Sequence, residues 1–120
     1  MNDYQLGAIE SRFADLIWEN EPLSSAELVK RAETLLQWKK STTYTVLKRL
    51  CDKGIFRNEN GTVSSLISRQ DFFAMQSERF VEERFQGSLP AFLAAFTSRK
   101  QLSSEEVAAL RRMIEDHKEG

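Results

Sequence analysis

Between Trp38 and Arg57 the chain carries six cations, Lys39, Lys40, Lys48, Arg49, Lys53 and Arg57, against the single acid Asp52, a net of +5. Among them stand Ser41, Thr42, Tyr44 and Thr45, four hydroxyls able to donate or accept hydrogen bonds. Cations at this density suit phosphate oxygens, and a lysine set among short hydroxyls suits base edges. The flanks have the opposite sign. Residues 1–37 hold three bases and seven acids (−4), residues 58–70 balance, and residues 71–120 sum to −2, giving −1 for the whole chain. A positive block between acidic flanks is the electrostatic footprint of a polyanion-binding element. A solvated basic helix face would show the same block.

Other chemistry has little to work with. Cys51 is the only cysteine, so the chain can form neither an internal disulfide nor a thiolate metal cluster; it reads as an inert thiol. His117 is the only histidine, which disfavours metal catalysis and histidine-dependent acid–base or nucleophilic chemistry. Glu82-Glu83 and Glu105-Glu106 are adjacent pairs, which diverge by about 100° on a helix and cannot act together. No enzyme, cofactor or metal site is expected. With 120 residues, 41% hydrophobic and 29% charged, the chain suits one compact domain, or one DNA-reading unit with a helical appendage. No apolar run approaches the roughly 20 residues that span a bilayer, and the N-terminus lacks the pattern of a signal peptide. The expectation is a cytoplasmic protein.

The basic block must be positioned by helices. Ile9, Phe13, Leu16 and Ile17 form an i, i+4, i+7, i+8 stripe for a first helix, interrupted at Asn20-Glu21-Pro22. Ser24 and Glu27 have capping-box spacing for a second, carried by Leu28, Val29, Ala32, Leu35 and Leu36 and ending near Gln37. A third runs from about Lys40 to Lys53, with Gly54 suited to the left-handed C′ position. On it Thr43, Val46, Leu47 and Leu50 share one face, and Ser41, Thr45, Lys48 and Asp52 the opposite one, flanked by Thr42, Tyr44 and Arg49. Asn60-Gly61 between two β-compatible runs predicts a hairpin over about residues 55–67. Trp18 and Trp38 read as packing at the helix junctions.

Three helices followed by a hairpin is the order of a winged helix-turn-helix. The fold class is therefore mainly α with a small β-hairpin: a winged-helix DNA-binding domain over residues 1–67, then a helical dimerisation region over 68–120. Ser41, Thr42, Tyr44, Thr45 and Lys48 are the base-readout candidates; Lys39, Lys40, Arg49, Lys53 and Arg57 are the phosphate candidates. Asp52 would repel phosphate and should lie past the contact zone. A winged helix also serves as a protein–protein interaction module without a specific DNA target, and the pattern alone leaves that alternative open.

Ser68 with Asp71, Ser88 ahead of Pro90, and Ser103 with Glu106 mark three further helix starts, and Gly87 marks a helix end. Residues 72–96 hold six of the eight phenylalanines: Phe72, Phe73, Phe80, Phe85, Phe92 and Phe96. Short helices cannot easily hide that much aromatic area, so these residues, with Leu110 and Ile114, are the candidate interface of a homodimer. Two readers related by a two-fold axis would meet half-sites one helical turn, or a multiple of it, apart.

The segments Glu10 with Leu16-Ile17-Trp18, Ser25-Ala26-Glu27-Leu28, Trp38 with Thr42, Thr45 and Leu47, Lys48-Arg49-Leu50-Cys51-Asp52-Lys53-Gly54-Ile55, and Leu102-Ser103 with Glu105-Glu106 and Leu110 carry a resemblance. Over nearly its whole length the chain resembles the BlaI/MecI family of penicillinase-repressor transcriptional regulators. The resemblance implies a dimeric winged-helix repressor of a palindromic double-stranded operator, paired through its C-terminal helices. It also implies a membrane-bound metalloprotease sensor as a partner, one that cleaves an Asn-Phe bond in the fifth helix. The matching bond here is Ala95-Phe96, with alanine in place of asparagine. Tyr44 stands where many members carry arginine, which implies a different operator, and the wing is shorter than in the penicillinase repressors. One cysteine cannot supply the C-terminal cluster of the copper-responsive members.

Overall fold

A computed structural model describes residues 5–119. Residues 1–4 of the expected DNA-binding domain and residue 120 of the expected dimerisation region lie outside the described residues. The elements are α1 (Ala8–Asn20), β1 (Leu23–Ser24), α2 (Ser25–Leu36), α3 (Lys40–Asp52), β2 (Phe56–Glu59), β3 (Thr62–Ser65), α4 (Arg69–Phe85), α5 (Leu89–Arg99) and α6 (Ser104–Glu119). The chain divides into an N-terminal unit ending at Ser77 and a C-terminal unit from Glu78, so the first extends further along the chain than residue 67.

The N-terminal unit is a winged helix. Its core is Phe13, Leu16 and Ile17 of α1, Leu28 and Ala32 of α2, and Val46, Leu47 and Leu50 of α3, closed by Leu23, Ile55, Phe56, Val63 and Phe72. Each of the larger side chains among these, taken fully from water, contributes about 1.5–3 kcal/mol before the entropy of ordering is charged against it. Ile9 and Leu35, expected on the inner stripes, stand exposed at the far ends of α1 and α2. Ala14 joins the core instead.

Local chemistry sets the helix ends. The Ser24 hydroxyl accepts from the Glu27 N–H at 3.0 Å, but the Glu27 carboxylate turns to Arg31 at 3.2 Å and does not complete the expected box. Helix α3 closes in a Schellman motif: the Ile55 N–H reaches the Leu50 carbonyl and the Gly54 N–H the Cys51 carbonyl, with Gly54 at φ +85°. Asn60 (φ 53°) and Gly61 (φ 84°) make the tight turn between β2 and β3, both in the left-handed region a type I′ turn needs.

The expected hairpin gains a third strand. Leu23 and Ser24 pair antiparallel with Val63 and Thr62, giving the order β1-β3-β2. Two residues of strand lie below what periodicity can reveal; burial of Leu23 beside Val63 holds them there. The Ser25 N–H then donates to the Gly61 carbonyl at 2.8 Å, tying the start of α2 to the wing turn.

Trp18 fastens α1 to the segment after the wing. Its indole N–H donates to the Ile67 carbonyl at 3.0 Å, and its ring packs on Phe56, Phe72 and Phe73. Phe72, expected at a dimer interface, is only 3% exposed, so it belongs to this core and offers no surface to a partner.

The C-terminal unit is built differently. Phe80, Phe85, Phe92 and Phe96 stack between the end of α4 and α5 at centroid distances of 5.6–6.3 Å. Gly87 (φ +79°) ends α4, and Ser88 and Ser103 cap α5 and α6, the latter with a complete box: Glu106 accepts from the Ser103 N–H at 2.9 Å and the Ser103 hydroxyl from the Glu106 N–H at 3.0 Å. Among the described residues this unit buries no side chain fully. An open apolar cleft of about 470 Å³ is lined by Leu89, Leu93, Leu110, Met113, Ile114 and His117. No described helix is long and apolar enough to cross a membrane.

Candidate nucleic-acid interface

The surface in question is α3 with the wing beside it. Burial of Thr43, Val46, Leu47 and Leu50 rotates the opposite face outward, and Ser41, Thr42, Tyr44, Thr45 and Lys48 all stand exposed. Their hydrogen bonds distinguish them. The Thr45 hydroxyl donates to the Ser41 carbonyl at 2.9 Å, which spends its proton and leaves its lone pairs and methyl group outward. The Tyr44 hydroxyl donates to Ser25 Oγ at 3.2 Å, bracing α3 against the start of α2. Lys48 Nζ lies 3.1 Å from Asp52 Oδ2, with the two side chains 79% and 66% exposed; in that much water the pair is weak and readily exchanged. Asp52, expected only to mark the end of the contact zone, is also the resting partner of Lys48.

The phosphate candidates fall into three groups. Lys39 and Lys40 stand exposed at the start of α3, where Lys39 is the N-cap residue and contributes no side-chain cap. Arg57 is exposed on β2, its Nε donating to Ser64 Oγ at 3.2 Å and its Nη1 3.7 Å from the wing acid Glu59. Arg49 and Lys53 turn from the outer face toward α1. Arg49 Nη1 lies 3.2 Å from Glu10 Oε2; Lys53 Nζ lies 3.7 Å from Glu10 Oε1 and donates to the Gln5 carbonyl at 2.7 Å.

Both cations converge on Glu10 of α1. Burial raises its pKa, yet the Gly7 N–H at 3.2 Å and the Arg49 and Lys53 cations together hold it below the ordinary carboxylate value. In the sequence Glu10 stands out only among the residues that carry the family resemblance, with no charge partner assigned to it. It lies 39 positions from Arg49, so no local spacing could have signalled the pair.

Between α3 and the wing lies a cleft of about 360 Å³ lined by Tyr44, Leu47, Lys48, Cys51 and Asn58. Cys51 is half-buried there, and burial, then Asp52, push its thiol pKa up, which favours the unreactive protonated form. Asn58 adds a polar wing residue that sequence reasoning did not single out.

In the C-terminal unit Phe80, Phe96 and Ile114 are exposed and Phe85, Phe92 and Leu110 half-buried, while Phe73 is exposed on the N-terminal unit. The Ala95-Phe96 bond lies within α5, exposed but helical, so a protease would have to unwind that turn to take it in extended form.

A family model described as Penicillinase repressor matches residues 6–116. The chain is 27% identical to a penicillinase repressor of Bacillus licheniformis over 118 residues, covering 95% of this chain and 92% of that protein. It is 24% identical to the methicillin resistance regulatory protein MecI of Staphylococcus aureus over 115 residues, covering 92% of this chain and 94% of that one.

Proposed function

The chain belongs to the penicillinase-repressor family, a family of DNA-binding transcriptional repressors and not of enzymes, and from that premise we propose that it represses transcription as a homodimer seated on a palindromic operator, each α3 in the major groove of one half-site. The observation that carries this reading is the two-sidedness of α3: four buried residues inward, and Ser41, Thr42, Thr45 and Lys48 outward and free of the protein core. A major groove about 12 Å wide admits one such helix.

In the seated complex Lys48 leaves Asp52 to donate to guanine O6 or N7, and Thr45, its proton already committed, accepts from a base amine or packs its methyl on thymine. Lys39 and Lys40 neutralise phosphates at the start of the helix, and Arg57 does so from the wing. Tyr44 contributes mainly through its brace to Ser25. The second copy covers the apolar surface of the C-terminal unit, including Leu89, Met113 and Ile114, which a lone subunit leaves in water. Cleavage at Ala95-Phe96 would split this surface, leaving Leu89 with the reading head and removing Met113 and Ile114, although Ala95 in place of the family's asparagine disfavours that route of release.

Gel-shift titrations across a salt series test the reading. Lys48→Ala should weaken a cognate site more than arbitrary DNA, whereas Lys40→Ala should weaken both alike and flatten the salt dependence. Equal binding of promoter and arbitrary fragments by the wild type would overturn it.

A further inference from the structure

Of the six cations in the basic block, Arg49 and Lys53 are distinguished by a partner from another helix. Glu10 comes from the first turn of α1, its carboxylate already oriented by the Gly7 N–H, and it meets Arg49 with one oxygen and Lys53 with the other. The carboxylate end of the site is also the more sheltered: the side chains of Glu10 and Lys53 are 18% and 17% exposed, and that of Arg49 53%, against 79% and 66% for Lys48 and Asp52. An ion pair withdrawn from water is screened little by salt, whereas an exposed one exchanges its partner at small cost. A carboxylate held on two cations presents them with what a DNA phosphate would present.

We propose that Glu10 is a positioning residue for DNA binding, an internal counter-ion that keeps Arg49 and Lys53 off the phosphates and so fixes how many charges the recognition helix can neutralise. The proposal rests on the DNA-binding reading above. Binding to DNA of arbitrary sequence depends essentially on that number, because each neutralised phosphate releases counterions. With Glu10 in place, the helix offers phosphate its N-terminal pair, Lys39 and Lys40, and holds its C-terminal pair against α1. Loose binding therefore stays weak although the segment is strongly basic.

The experiment measures the slope of log affinity against log salt on a short duplex of arbitrary sequence, for the wild type and for Lys40→Gln, Arg49→Gln, Glu10→Gln and Glu10→Gln with Arg49→Gln. Lys40→Gln should flatten the slope by about 0.9, the worth of one phosphate contact. Arg49→Gln should leave it unchanged, since that charge is already matched. Glu10→Gln, which keeps an oxygen for the Gly7 N–H, should steepen it by about 0.9 or more and tighten binding about eightfold at 0.1 M salt. Adding Arg49→Gln to it should take back about 0.9 of that slope. Glu78→Gln, an equal change in net charge at an exposed acid of the other unit, should leave the slope alone.

An Arg49→Gln effect as large as that of Lys40→Gln overturns the proposal, as does an unmoved slope in Glu10→Gln or an equal steepening by Glu78→Gln. Should Glu10→Gln fail to fold in a circular-dichroism melt, the contrast between Lys40→Gln and Arg49→Gln decides alone. Wild-type protein without any salt-dependent duplex binding overturns the DNA-binding reading together with this one.

Discussion

The two units of the chain solve the burial problem in opposite ways. Every fully buried apolar side chain among the described residues belongs to the N-terminal unit, from Phe13 to Phe72. The C-terminal unit has one intramolecular aromatic stack and leaves Leu89, Phe96, Met113 and Ile114 exposed. It caps its helices well but closes no core among the described residues. The N-terminal unit closes its core within one copy; on the proposed reading, a second copy completes the C-terminal unit.

Core truncations should separate the units most sharply. Phe56→Ala, at a fully buried site packed against Trp18, should cost the N-terminal unit about 3–5 kcal/mol, read as a lowered midpoint in thermal melts. Leu89→Ala should leave the melt of dilute protein almost unmoved, since that side chain is already half in water. A comparable loss from both would mean that the exposed surface is not there in solution.

Ile114→Asp comes next and acts only on association. A charge placed in an apolar position that the proposed dimer would cover should weaken that dimer at least about thirtyfold, from a loss of ~2 kcal/mol or more, visible by sedimentation equilibrium. The fold of dilute protein and its loose duplex binding should survive. An unchanged dimer constant would remove the α5–α6 cleft from the interface.

Gly61→Ala tests the wing. The new methyl would meet nothing closer than Ser25 Oγ at 3.9 Å, so the cost is the backbone at φ +84° alone, about 1–2 kcal/mol. Denaturant melts should show it in the N-terminal unit only.

The smallest effect is that of acid. The folded pKa of Glu10 lies below its ordinary 4.5, so its contribution to stability is complete above that pH and is lost as pH falls through the lower folded value. Glu10→Gln should flatten that acid limb of the stability curve. A limb of unchanged steepness would mean that the Arg49 and Lys53 pairs do not favour the charged form.

Much of the reading head was legible in the chain because its signals are local. The period of Thr43, Val46, Leu47 and Leu50 fixed which way α3 faces, Gly54 its end, and Asn60-Gly61 the wing turn. What escaped depends on distance along the chain. Leu23 with Val63, and Glu10 with Arg49, are brought together only by the fold, and neither spacing nor propensity carries a trace of them. Periodicity also names a face without saying what covers it. Phe72 and Phe80 lie on one helix with similar neighbours, yet one is sealed under Trp18 and the other stands in water. Ile9 fits its stripe and still lies beyond the end of the core.

Selection of bound duplexes from a random pool tests the central assignment most directly, run in parallel with wild-type protein and Lys48→Ala. The wild type should enrich a palindrome whose half-sites are centred about one helical turn, or a multiple of it, apart. Lys48→Ala should keep that spacing and lose discrimination at a guanine in each half. Enrichment of no sequence by the wild type, or an identical motif from both proteins, would contradict the assignment of the outer face of α3 as the surface that reads DNA.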